Sequence, residues 1–139
     1  MLIDTHCHLT DNYVSGDLDD VLTRAAAAGV GMIICPTANP ADIPGAIKIA
    51  ETHNNIFATI GIHPEYAGVD ATQYLTDAVL THPRVVGVGE IGLDYHCGNE
   101  NRTAQIKLFE QQLELAKKYA LPVAVHTRDA EDDTIAILN

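Results

Sequence analysis

Short apolar runs at 1–3, 31–35, 56–62, 85–89 and 122–125 recur along the chain, with longer amphipathic stretches between them. Runs of this length, rich in Val and Ile, fit strands buried on both faces of a parallel sheet. The intervening stretches carry helical periodicity. Leu18, Val21, Leu22, Ala25 and Ala28 make one apolar stripe, with Asp17 placed as its N-cap and Gly29 at its stop. Asn39-Pro40 reads as an N-cap followed by proline at the first helical position, leading into Ile43–Thr52. Residues 71–80 read as a helix halted at His82-Pro83. Ile106, Phe109, Leu113 and Ala116 mark the longest helix, and 127–138 opens another. A β-α unit repeated five times requires a parallel sheet with right-handed crossovers, either open or closed into a (β/α)8 barrel. No G-x-G-x-x-G or P-loop follows the first run, which argues against a nucleotide-binding open sheet. The Gly87-Val88-Gly89-Glu90 stretch is too short for a phosphate loop.

A chain of 139 residues is long enough for one domain with its own core, and 1–139 is expected to be a single domain. Eight basic against nineteen acidic residues leave a net charge of -11, which opposes a broad basic patch able to grip duplex DNA. Phosphate substrates stay compatible with that charge, because bound divalent cations invert the local field. Cys7, Cys35 and Cys97 form no C-x-x-C pair, so neither a disulfide scaffold nor a zinc knuckle is indicated and a reducing cytoplasm is the expected compartment. The first residues lack a basic segment followed by a long apolar one, so no signal peptide is expected. No apolar run approaches bilayer-spanning length, and no membrane partner is expected.

The reactive residues fall at the carboxyl ends of the apolar runs. The first leads into Asp4-Thr5-His6-Cys7-His8, the third into His63-Pro64, the fourth into Glu90 and Asp94, and the fifth into His126, Thr127 and Arg128. On a strand, residues two apart share a side, so His6 and His8 aim together while Cys7 faces away into packing. In parallel α/β folds the carboxyl end of the sheet carries the active site. A lone histidine there is usually a satisfied core residue, but four strands delivering His or Glu to one mouth are harder to explain as packing. Imidazole and carboxylate donors suit Zn²⁺ or Mn²⁺, and Mg²⁺ where waters complete an oxygen-rich shell. Glu90 has two oxygens and could bridge two ions about 4 Å apart, His6 and His8 on one and His126 on the other, with a water between them activated as a nucleophile.

Other residues admit two readings each. His63 is a phosphate contact or proton shuttle, or else a turn histidine before Pro64. Arg128 clamps a phosphate, or pairs with Asp129 or Glu131. Asp94 supports a neighbouring ligand or is simply a turn residue. Asp129, Glu131, Asp132 and Asp133 suit the opening of the last helix, where its dipole favours negative charge.

DTHCHL (4–9), GIHPEY (61–66), GEIGLDY (89–95) and PVAVHTRDA (122–130), in that order, resemble the motifs of the TatD family of metal-dependent deoxyribonucleases, within the amidohydrolase-like barrel superfamily. The resemblance runs the length of the chain. It implies a (β/α)8 TIM-barrel type metallohydrolase that cleaves phosphodiester bonds of nucleic acid through a binuclear centre and a metal-activated water. The expected activity is a 3′-to-5′ exonuclease on single-stranded DNA ends. It further implies two divalent ions (Mg²⁺, Mn²⁺ or Zn²⁺), His6 and His8 as ligands of one, His126 as a ligand of the second, and Glu90 as bridge and catalytic residue. His63, Asp94 and Arg128 are the expected substrate-binding residues.

Family members carry eight β-α units and this sequence supplies about five, so an incomplete barrel is expected, with open edges at its first and fifth strands. Such edges invite pairing with another chain, and a homo-oligomer that completes the barrel is one expectation. Two other readings stand beside the nuclease. One is an amidohydrolase acting on a small amide or ester; many of these bridge their metals with a carbamylated lysine after the fourth strand, whereas here that strand delivers Glu90 and no Lys occurs from Ile56 to Arg102. The other is an inactive fragment that assembles through its open edges.

Overall fold

The computed structural model describes residues 1–10, 14, 16–96, 98 and 100–139; Cys97, to which the sequence assigns no role, lies outside them. Among the described residues five strands form one sheet: β1 (Leu2–Asp4), β2 (Val30–Pro36), β3 (Ile56–Thr59), β4 (Val85–Asp94) and β5 (Val123–Arg128). Every neighbouring pair is parallel, and the spatial order is the sequence order. A doubly wound sheet must reverse its strand order at a switch point. Here the order never reverses, so each right-handed crossover adds its strand on the same side and the sheet's twist accumulates in one sense, as in a barrel wall.

The crossovers carry α1 (Leu18–Ala27), α2 (Ile43–Thr52), α3 (Asp77–Leu80) and α4 (Arg102–Lys118), and α5 (Glu131–Leu138) follows β5. The core lies between the central strands and these helices. Ile33, Cys35, Ile56, Ala58, Val88 and Ile91 from the sheet are buried with Ile43, Ala46 and Ala50 of α2 and Leu108, Phe109 and Ala116 of α4. Full burial of each large aliphatic or aromatic chain contributes about 1.5–3 kcal/mol, so this contact surface is what holds the rim residues in register. No helix among the described residues is long and apolar enough to cross a membrane.

Several expected boundaries move. The 71–80 segment is not one helix. Asp70 caps a single 3-10 turn, Ala71–Gln73, by accepting from Thr72 N–H at 3.0 Å and Thr72 Oγ1 at 2.8 Å, and α3 starts only at Asp77. Short polar side chains that bond the local backbone compete with helix continuation, while buried Leu75 and Leu80 anchor the two pieces separately. The helix read over 127–138 begins later as well: β5 runs through Arg128, Asp129 turns the chain at φ 53°, and Glu131, Asp132 and Asp133 then fill the first turn as expected. Asn39 does cap, accepting from Ala41 N–H at 2.9 Å, although it opens a 3-10 turn, Pro40–Asp42, ahead of α2. Asp17 makes no side-chain cap bond, and Ala28 is exposed rather than part of the packed stripe. Burial on both faces holds for the central strands only. Leu2 and Ile3 of β1 are 61% and 51% exposed, and Val123 and Val125 of β5 are each 38% exposed, because the outer side of each edge strand meets no further strand among the described residues.

Candidate metal centre

The strand that matters most is β4, which continues past Gly89 to Asp94 and so carries Glu90 and Asp94 on one element. It lies very close to β5 there. A Cβ at Gly89 would stand 2.6 Å from Ala124 Cβ, and one at Gly92, whose φ is +146°, would overlap the carbonyl oxygen of His126. Gly92 pairs with His126 in the parallel register. Two positions without side chains therefore let β4 press against β5 where Glu90 and His126 meet. The backbone of Glu90 is fixed from the other side, its N–H donating to Thr37 O at 2.9 Å. Thr37 also bonds Gly61 twice, donating from Oγ1 to Gly61 O and accepting from Gly61 N–H, both at 2.9 Å.

His6 and His8 stand just past the end of β1 rather than on it. Cys7 N–H donates to Ile34 O at 3.0 Å, which lays this segment along β2, and Cys7 itself packs against the core. The two imidazoles are edge to face with centroids 5.2 Å apart.

These elements converge on Glu90. Its Oε2 lies 3.3 Å from His6 Nε2 and 3.5 Å from His8 Nε2, while its Oε1 lies 3.0 Å from His126 Nδ1. The far nitrogen of His126, Nε2, stands 2.9 Å from Asp94 Oδ2. His63 meets His126 with ring centroids 4.3 Å apart. Two groups of possible ligand atoms result, His6 with His8 and Glu90, and His63 with Glu90 and His126; within each group the atoms all lie within 4.8 Å of one another.

The electrostatics follow the geometry. Glu90 is held at about 2: the His8 hydrogen bond, the charge of His6 and the His126 bond together outweigh burial, which alone would raise it. Burial, followed by the neighbouring His126, lowers His63. Burial would raise Asp94, but bonds from His126 and from the His96 N–H leave it below the ordinary carboxylate value. The carboxylates are thus ionised at neutral pH.

This donor set fits a divalent cation. A charge-assisted N–H···O bond closes to about 2.7–2.9 Å, yet both His6 and His8 stop well short of that from Glu90 Oε2, so three ligating atoms face a shared space rather than pairing tightly. Imidazole nitrogen with carboxylate oxygen is the chemistry of Zn²⁺ and Mn²⁺ sites.

The residues read as substrate-binding divide. His63 stands within the second ligand group. Asp94 bonds His126. Arg128 lies outside both groups and lines a cavity of about 490 Å³ beside them, together with His63, Glu65, Asp94, Asn101 and Gln105. Its suggested partner Asp129 has a carboxylate oxygen 2.9 Å from His96 Nδ1. The sequence reading passed over Thr37, Gln105 and Gln112. Thr37 carries no local signal, but the two glutamines sit seven residues apart on the buried face of α4, where an apolar residue is the ordinary occupant.

Comparison with known proteins identifies the family. The family model described as TatD related DNase matches residues 3–139. The uncharacterized metal-dependent hydrolase YabD of Bacillus subtilis is 37% identical over 99% of this chain and 55% of its own length. The corresponding figures are 40%, 94% and 52% for the uncharacterized metal-dependent hydrolase YjjV of Escherichia coli. A protein of Klebsiella pneumoniae named 3′-5′ ssDNA/RNA exonuclease TatD is 36% identical over 99% of this chain and 53% of its own length. The crystal structure of YjjV, a TatD homolog from Escherichia coli, superposes with a TM-score of 0.82 at 35% identity, covering 99% of this chain and 54% of that one. The chain spans about half the length of the curated relatives it matches.

Proposed function

The chain belongs to the TatD-related DNase family, and from that premise we propose that it supplies the metal-binding rim of a divalent-metal-dependent phosphodiesterase acting on nucleic acid. In this reading residues 1–139 are one domain, the first five β-α units of a barrel. The observation that carries it is the double engagement of Glu90, one oxygen toward His6 and His8 and the other toward His126. His6, His8 and Glu90 would hold one cation, and Glu90 with His126 and His63 a second. Such ions, when bound, supply Lewis acidity that activates water and neutralises charge developing on a phosphoryl group.

The chain's own residues do the rest. Asp94 fixes the His126 ring by its bond to Nε2. His63, lowered by burial, accepts the Glu65 N–H at Nδ1 (3.2 Å), which fixes the ring where it meets His126 at the rim. Arg128 supplies a cation to the adjoining cavity, and its planar guanidinium suits two oxygens of a phosphate. The net charge of -11 repels long polyanions, so grip on the substrate is confined to this rim. That fits digestion from a single-stranded end better than engagement of a duplex. The relative from Klebsiella pneumoniae, named for 3′-5′ action on single-stranded DNA and RNA, supports the same polarity here.

A second reading has its own observation. The exposed apolar residues of β1 and β5 leave both sheet edges able to pair, so a second copy that completes the wall is a specific alternative. Incubating the chain with 5′-labelled single-stranded oligonucleotides in Mg²⁺, Mn²⁺ or Zn²⁺, beside lactones and cyclic amides, separates the readings. A ladder shortened from the 3′ end supports the nuclease, and turnover of amides or lactones alone overturns it. Turnover of neither by a metal-loaded, associated species favours the assembly.

A further inference from the structure

The α4 helix reaches the rim through two buried side-chain amides. Gln112 is 0% exposed, and both ends of its amide are used on one residue: Oε1 accepts from Ile62 N–H at 2.8 Å and Nε2 donates to Ile62 O at 3.0 Å. Gln105, 3% exposed, repeats the arrangement on Asp94, accepting from its N–H and donating to its O, each at 2.8 Å. Its Nε2 also donates to Asn101 Oδ1 at 2.8 Å. A carboxamide carries the donor and acceptor of a peptide group, so each glutamine serves as one rung of a missing strand. The need is local. The β3 strand ends at Thr59, yet Ile60 and Ile62 stay fully buried, and a buried peptide group left unbonded costs about 1–3 kcal/mol.

What the two rungs hold is not random backbone. Ile62 directly precedes His63, whose ring meets His126. Asp94 bonds His126 Nε2 through its own carboxylate. Seven residues along α4 is two turns, about 10.5 Å on one face, which spans from one rim segment to the next. Both contacts therefore end on the same imidazole, approached from two sides.

We propose that Gln105 and Gln112 are positioning residues for the His63, Glu90 and His126 group, setting the placement of His63 and Asp94 against His126. The proposal rests on the metal-site reading above, and its test needs no turnover, so loss of the nuclease reading would leave it standing. Gln105→Met and Gln112→Met keep side-chain length and volume while removing both rungs. Folding is followed by circular dichroism, ring geometry by long-range ¹H–¹⁵N spectra of the histidines, and Zn²⁺ affinity by chelator competition. In the folded variants the ring signals of His63 and His126 move, while those of His53 and His82, at the opposite end of the strands, stay in place. Zn²⁺ bound by the second group weakens about 10–100-fold, the range for losing a support behind a ligand, while the His6, His8 and Glu90 group changes less than twofold. Unmoved ring signals with Zn²⁺ affinity within twofold would overturn the proposal. So would failure of both variants to fold, which would assign the glutamines to the core alone.

Discussion

Nδ1 of His126 stands 3.0 Å from Oε1 of Glu90, although 36 residues separate them along the chain. The contact exists because β5 lies directly beside β4, and it places an anion between imidazoles delivered by the first and fifth strands. Glu90→Gln keeps the shape and removes the charge. The expected outcome is loss of paired-metal occupancy, with affinity down at least about 100-fold for the more weakly held ion, since a direct ligand matters more than a support behind one. Helical circular dichroism should be largely kept, because the residue sits at the rim. Unchanged metal stoichiometry by calorimetry would remove the bridging role.

Metal itself should stabilise the fold. A cation that binds only the native rim adds about 2.7 kcal/mol at a hundredfold excess over its dissociation constant, roughly 10 °C in Tm for a chain of this size. Thermal scans with Zn²⁺ or Mn²⁺ should show that rise, and EDTA should reverse it. The effect should shrink in His126→Ala and again when His6→Ala is added. A melting point indifferent to both ions would contradict a metal site here.

The close approach of β4 to β5 makes Gly92 a sensitive position. At φ +146° an L side chain is strained, and the added methyl would collide with backbone oxygen of His126, which has no rotamer by which to yield. Gly92→Ala should therefore cost roughly 2–3 kcal/mol or more in urea unfolding. Because the collision is with His126, Zn²⁺ affinity should fall in the same variant. Stability lost with metal affinity intact would mean that the strands separate without disturbing the rim.

The rhythm of apolar runs made the parallel sheet legible, because both its period and its spacing are local properties of the chain. The four-part group His6, His8, Glu90 and His126 was legible for the same reason: each residue follows an apolar run, and strands of one direction end on one side. The 71–80 segment was not, since the choice between one helix and two short turns depended on Asp70 bonding Thr72 rather than on apolar spacing. Placing His63 beside His126 required knowing that the backbone at Ile62 is held by a side chain 50 residues later. That pairing leaves no mark near either residue, and Thr37 under Glu90 is hidden in the same way.

Cys35 offers a test of the core that is independent of the rim. Its side chain is fully buried in β2, and burial pushes the thiol from the ordinary 9.0 up to about 11. The unfolded chain therefore releases this proton at lower pH than the folded one. The resulting contribution is fully present below pH 9 and is lost as pH rises from there through about 11, at most roughly 2–3 kcal/mol. Urea titrations at pH 7, 9, 10 and 11 should show the native chain losing stability faster across that window than Cys35→Ala. That variant pays a packing cost that is constant with pH, so it does not alter the slope. Parallel slopes would mean that the thiol reaches water in the folded state, and rapid thiol labelling of the native chain at Cys35 would say the same by a separate measurement.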